Sequence, residues 1–261
     1  MKAPVHILAT VRRAELLPAA RLVFHTLRTG FPSEPVCVWG IALDAASAAV
    51  LAADTAAVGG KFQNLPATAH DAWIETLVNK LTDPFWVCDT DVVFFDRMTA
   101  PKGAVFAGRY EPAFDEEFTD TVHMERLHTA VMYLNPERVR MAVREWMAKI
   151  PEPWRNSATF PLFRQNFVPV LRDGVKQKTL FYDTLAGLHQ AVGGTAFTPA
   201  QDAAFEHLHC ATYAQEAARG AASLKDLPAV HAAVYADPAT ARGLKLAQDH
   251  YYHNRKPQMM L

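Results

Sequence analysis

Between Phe85 and Phe95 the chain reads Phe-Trp-Val-Cys-Asp-Thr-Asp-Val-Val-Phe-Phe, an eleven-residue run that is apolar except for Asp89, Thr90 and Asp91. A segment this apolar belongs in a core, and two unpaired carboxylates inside a core would cost many kcal/mol. They must therefore emerge at a strand end or be compensated. At positions i and i+2 of an extended chain both side chains lie on one face. Two carboxylates so placed repel unless a cation lies near them, and a hard divalent ion, Mg2+ or Mn2+, suits carboxylate and phosphate oxygens.

The surrounding pattern predicts an α/β sheet. Val5 to Val11 reads as a β-branched first strand, residues 14–29 have helical spacing ended by Gly30 and Pro32, and Val36 to Leu43 reads as a second strand. Strand–helix–strand is the unit of a parallel sheet. Helices are expected over 45–57 and 70–81, and Phe85 to Cys88 is a strand running straight into Asp89. The carboxyl end of a parallel strand is where such sheets bind ligands. Val105 to Tyr110 and His128 to Asn135 are further strands, and 137–149 and 180–192 read as helices. A short strand is expected at Thr195 to Thr198. Residues 151–169 hold four prolines with Trp154, Phe160 and Phe163 between them, an irregular segment of the kind that forms lids or acceptor surfaces. The last fifty residues read as helices with a basic tail.

With 261 residues, one domain with an extension is expected. The formal charge of −1 offers no basic excess for nucleic acid or an anionic membrane. Cys37, Cys88 and Cys210 are too few and too scattered for a disulfide framework or a structural zinc site, which fits a reducing compartment. The N-terminus lacks an apolar signal core and no run reaches 18 apolar residues, so a cytoplasmic protein without a transmembrane segment is expected.

The strand, Asp89-Thr90-Asp91 and the following Val-Val-Phe-Phe resemble the D-x-D segment of GT-A glycosyltransferases. The resemblance implies a GT-A-like mixed, mostly parallel sheet flanked by helices. It divides the chain into a nucleotide-binding half (1–98), an acceptor and metal half (99–215) and a helical C-terminal extension (216–261). It implies Asp91 as a ligand of Mn2+ or Mg2+ and Asp89 as a donor contact close to the metal. Thr10, Arg12 and Arg13, at the first strand's end, would face the nucleotide.

Downstream, Leu127 to Pro136 is similar to the acceptor-side strand of these enzymes, with His128 where retaining relatives carry Asn, and Trp154 is a further acceptor-side candidate. Phe181-Tyr182-Asp183-Thr184-Leu185 resembles the segment that supplies the general base of inverting members, with Tyr182 in place of a Glu. That makes Asp183 the candidate base. His207 and His209 fall where the family places a third metal ligand, and His209 is the favoured one.

The implied reaction moves a sugar from a nucleoside diphosphate donor, a UDP-sugar by preference, to an acceptor hydroxyl, with inversion favoured. Two other readings stand beside it. Asp89-Thr90-Asp91-Val92-Val93 loosely fits the nucleophile motif of haloacid dehalogenase-type phosphatases, in which the first Asp attacks phosphorus. A sugar-nucleotide fold serving as a non-catalytic binding module is the third.

Overall fold

The computed structural model describes residues 2–11, 17–115, 120–151 and 162–208, together with the helical residues 232 and 236. Arg12, Arg13, Trp154 and His209 lie outside the described residues, as does nearly all of the expected C-terminal extension.

The chain begins with β1 (Val5–Ala9), whose five residues are all buried. A 3-10 turn (Ala19–Arg21) leads into α1 (Leu22–Gly30), followed by β2 (Val36–Ile41) and α2 (Ala45–Ala57). Asp44 caps α2, its carboxylate accepting the Ser47 N–H at 2.9 Å. Next come β3 (Lys61–Leu65), α3 (His70–Lys80), β4 (Phe85–Asp89) and β5 (Val92–Phe94). The chain continues through β6 (Phe106–Glu111), β7 (Phe114–Asp115), β8 (Thr121–His123) and β9 (Arg126–Leu134). It then forms α4 (Pro136–Lys149), β10 (Asn166–Arg172), β11 (Val175–Tyr182) and α5 (Ala186–Val192). The described part closes with β12 (Thr195–Ala196), α6 (Pro199–Ala203) and β13 (Phe205–His207).

The main sheet has seven strands in the order β12-β6-β9-β4-β1-β2-β3. Strands β4, β1, β2 and β3 run parallel, and β9 is antiparallel to both β4 and β6. This is the mixed, mostly parallel α/β architecture expected from the sequence. Both faces are covered. Alternate residues of β4 turn to opposite sides: Trp86 and Cys88 join Val23, Leu27 and Leu51, while Phe85 and Val87 join Trp73, Ile74, Leu77 and Leu188. A second sheet of four strands, β10-β11-β8-β7, stands apart from the first, and β5 and β13 form a separate two-stranded ladder.

Several segments differ from expectation. Among the described residues the helix expected over 14–29 is α-helical only from Leu22, after a 3-10 turn, and Lys61–Leu65 forms a strand where none is expected. The helix expected over 180–192 covers only Ala186–Val192, because Val175–Tyr182 remains extended as the second strand of a hairpin with β10. The irregular segment expected to 169 gives way at Asn166 to the first strand of that hairpin. Pro169 is accommodated because β10 is an edge strand, where a missing N–H leaves no ladder bond unmade.

His6 is buried in β1 against Trp39 and Phe85, and its Nδ1 accepts the Trp39 indole N–H at 3.0 Å. Burial pushes its pKa down to about 4. An unfolded imidazole takes up its proton near pH 6.5. Between these values the unfolded chain binds more protons than the folded one, so stability falls as pH drops from about 6.5 to about 4 and is indifferent to His6 above that window. In urea titrations across pH 4–7, His6→Leu is expected to remove a slope of up to about 1.4 kcal/mol per pH unit. An unchanged slope in the variant would place the acid sensitivity elsewhere.

Candidate active site

Asp89 is the last residue of β4, a strand hydrogen-bonded to β1 on one side and β9 on the other. The apolar residues before it bury the strand, so Asp89 is delivered to the carboxyl end of the sheet's middle. Thr90 and Asp91 then turn the chain into β5. The turn is held from two directions. The Thr90 carbonyl accepts the Val23 N–H of α1 at 2.8 Å, and the Asp91 carbonyl accepts the Leu208 N–H at 3.0 Å. Beneath it, Gly30 lets α1 approach so closely that a Cβ there would lie 2.5 Å from Cγ of Phe94.

The second bond reflects a register. β13 runs antiparallel to β5 with His207 opposite Val92, which brings His207 beside Asp91 across more than a hundred residues of chain. The Nε2 of His207 stands 3.1 Å from Oδ1 of Asp91 and 3.8 Å from Oδ2 of Asp89. One ligand atom from each of Asp89, Asp91 and His207 lies within 4.8 Å of the others. Two carboxylates and an imidazole nitrogen at such separations form a donor set for a divalent cation. Burial raises the pKa of Asp89 and the neighbouring Asp91 raises it further, while His70 and His207 oppose both.

His70, at the start of α3, lies on the other side of Asp89, with Nε2 3.9 Å from Oδ1. Its ring stacks near that of Trp73, at 6.1 Å between centroids. Among the described residues, the buried His70 Nε2 and Trp73 Nε1 have no hydrogen-bond partner. Thr10, just past the end of β1, is exposed.

On the opposite flank a bulge shapes β9. Gly108 of β6 pairs with Met132, but its neighbour Arg109 pairs with His128, so residues 129–131 are extra on the β9 side. His128 Nδ1 accepts the Ala130 N–H at 3.0 Å across this bulge, which leaves the neutral ring's proton on Nε2, 3.6 Å from Glu111. The His128 and His207 rings are 4.9 Å apart. Glu111 also accepts from Arg126 at 2.8 Å, and a second Arg126 nitrogen donates to Asp183. Asp183 accepts further from the Gln165 amide at 2.6 Å and from the Thr184 N–H at 2.7 Å. A line of side-chain contacts thus runs from Asp91 through His207, His128, Glu111 and Arg126 to Asp183, polar at each step except the ring approach of His207 to His128. A cavity of about 40 Å³ between Arg109, Glu111, His128 and His207 adjoins it. A larger cleft of about 330 Å³, lined by Lys2, Trp86, Arg97 and Tyr133, opens at the other end of β1 and β4 and does not share residues with this line.

Sequence reasoning named Asp89, Asp91, His128 and Asp183, and the fold gathers them with His207, the neighbour of the favoured His209. It missed Glu111, Arg126 and Arg109. Arg109 donates to Asp202 at 2.6 Å, to Glu206 at 3.2 Å and to the Asp202 and Phe205 carbonyls, and its guanidinium lies 4.4 Å from the Phe205 ring centroid. It ties β6 to β13 and so holds the strand that carries His207. Arg109→Met is expected to speed amide exchange at Val92–Phe94 and Phe205–His207 while leaving β1 and β2 protected. Unaltered exchange at β13 would remove Arg109 from this role.

No known family profile matches the chain, and no curated protein sequence matches it. Among solved structures it is similar to the WbbM bifunctional glycosyltransferase in its apo form, at 12% identity and a TM-score of 0.46 over 76% of this chain and 39% of that one. It is similar to the apo glycosyltransferase GlyE of Streptococcus pneumoniae TIGR4, at 8% identity and a TM-score of 0.43 over 76% and 45%. It is also similar to the galactosyltransferase LgtC solved with donor and acceptor sugar analogs, at 12% identity and a TM-score of 0.43 over 75% and 73%. The chain therefore spans less than half the length of WbbM and GlyE.

Proposed function

We propose that the chain is a metal-dependent glycosyltransferase that uses a nucleoside diphosphate sugar, a UDP-sugar by preference. The observation that carries this reading is the convergence of Asp89, Asp91 and His207 at the carboxyl end of the central strands. Asp91 and His207 are the proposed ligands of Mn2+ or Mg2+, with Asp89 beside them as ligand or donor contact; His209 remains a candidate outside the described residues. The donor set suits a hard divalent ion. The buried His70 Nε2 and Trp73 Nε1, without a hydrogen-bond partner among the described residues, fit a polar ligand entering between α3 and Asp89. Thr10, Arg12 and Arg13 would border the same ligand at the end of β1.

A bound divalent ion would neutralise charge on a leaving diphosphate. The chain's own residues divide the remaining work. Burial raises the pKa of Asp89 and His70 and His207 pull it back only in part, so a cation beside it would favour its charged form. His128 and Trp154 are the proposed acceptor-side contacts. Asp183 is the proposed base. Arg126, the Gln165 amide and the Thr184 N–H all donate to it, so both its oxygens already accept hydrogen bonds. Taking a proton from an acceptor hydroxyl therefore calls for that hydroxyl to replace the Gln165 amide. Inversion of the sugar carbon follows if it does.

The phosphatase reading asks Asp89 to attack phosphorus directly. A buried His207 turned to both carboxylates favours a ligand set over a nucleophile with its acid. Phosphate release from p-nitrophenyl phosphate would favour the phosphatase, and nucleotide binding without turnover would favour a binding module.

Thermal unfolding with UDP and Mn2+ together, near a hundred times the dissociation constant, is expected to rise by roughly 5–10 °C. Asp91→Ala should abolish the metal-dependent part; its survival in that variant would sink the assignment of Asp91. Asp183→Asn is expected to lower kcat by about 10²-fold or more while the Mn2+–UDP stabilisation stays intact. Undiminished turnover, or a product with the donor's anomeric configuration by NMR, would remove Asp183 as base.

A further inference from the structure

A row of four rings crosses the small sheet. Phe167 of β10 stands opposite Phe181 of β11, Phe181 opposite His123 of β8, and His123 opposite Phe114 of β7. Residues paired in register project on the same face. The rings touch in sequence: 4.6 Å and nearly parallel for Phe167 and Phe181, 5.1 Å and edge-on for Phe181 and His123, 4.3 Å and nearly parallel for His123 and Phe114. The two end rings each stack on one inner neighbour and turn the other face outward, so Phe167 is 63% and Phe114 51% exposed. Single exposed aromatics are ordinary, but a contiguous row marks an interaction surface.

The row's position identifies what it takes. Phe181 is two residues from Asp183, so the rings lead directly to Gln165, Asp183, Arg126 and Glu111. Apolar ring faces followed by carboxylates, a carboxamide and a guanidinium match a saccharide, which presents C–H faces for stacking and a rim of hydroxyls for hydrogen bonding. Strand addition by another chain is disfavoured at the Phe167 edge, where Pro169 removes a donor. Lys178, on the same strand as Phe181, is paired with Asp115 at 2.9 Å. Three strand spacings give the row a span of roughly 14 Å, the reach of a short oligosaccharide.

We propose that the Phe167–Phe181–His123–Phe114 row is a stacking platform for an oligosaccharide acceptor, holding the sugar units behind the one whose hydroxyl reacts. The proposal rests on the transferase reading and gives the acceptor a chemical class. The test is retention of the whole protein on an array of immobilised oligosaccharides, followed by calorimetry with a retained glycan in solution. Phe167→Ala and Phe114→Ala are each expected to weaken glycan binding by about tenfold, Phe167→Trp to restore it, and neither to alter the Mn2+–UDP thermal shift. No glycan retained, or affinity unchanged in the Phe167→Ala/Phe114→Ala double variant, overturns the platform. So does a wild-type dimer in light scattering that the double variant converts to monomer, because the row would then be a contact between copies. Failure of the Mn2+–UDP shift with glycan retention intact would instead overturn the transferase reading and leave the row a saccharide site.

Discussion

The repulsion between Asp89 and Asp91 is the interaction around which the rest is arranged. Two carboxylates at the end of a buried strand, with burial disfavouring the charged form of Asp89, need countercharge from somewhere. The fold brings two imidazoles: His70 from the first turn of α3, and His207 from a strand added late in the chain. The same need explains why the turn between them is so firmly tied. A backbone free to relax would let the carboxylates drift apart. Here Val23, Leu208 and the close Gly30–Phe94 contact keep them together.

The flank that carries His128 depends on the β9 bulge. An unbroken β9 would carry His128 away from Arg109 and point it along a different register. With three residues spared, His128 comes to face Glu111 and His207 at once. Arg126 sits at the start of the same strand and holds two carboxylates, Glu111 and Asp183, that would otherwise repel. One strand therefore orders both sides of the polar line, and substitutions along it are not independent.

What was legible in the sequence was what local pattern encodes. The apolar run broken at Asp89 announced both a central strand and a site at its end. Helical spacing located α2, α3 and α4 closely. The hairpin Asn166–Tyr182 was not legible, because Pro169 argues against a strand and the charged residues of β11 mask its alternation. β3 carries no alternating signal because Lys61–Leu65 is a half-exposed edge strand with three polar residues, Lys61, Gln63 and Asn64. His209 was preferred to His207 because spacing alone does not choose between i and i+2; the pairing of β13 with β5 places His207 beside Asp91. Arg109, Arg126 and Glu111 carried no signal at all, since each matters through partners far away in sequence.

The β5–β13 ladder joins segments more than a hundred residues apart, and closing so long a loop costs entropy before any contact repays it. Such non-local pairings form late. Asp89 ends β4 within the main sheet, whereas Asp91 and His207 are brought together by the β5–β13 ladder, whose second strand lies beyond β6, β9 and the segments between. A chain without that ladder would lack the imidazole of the proposed donor set. If the proposed site takes a metal, strong capture there would report that this last ladder has closed.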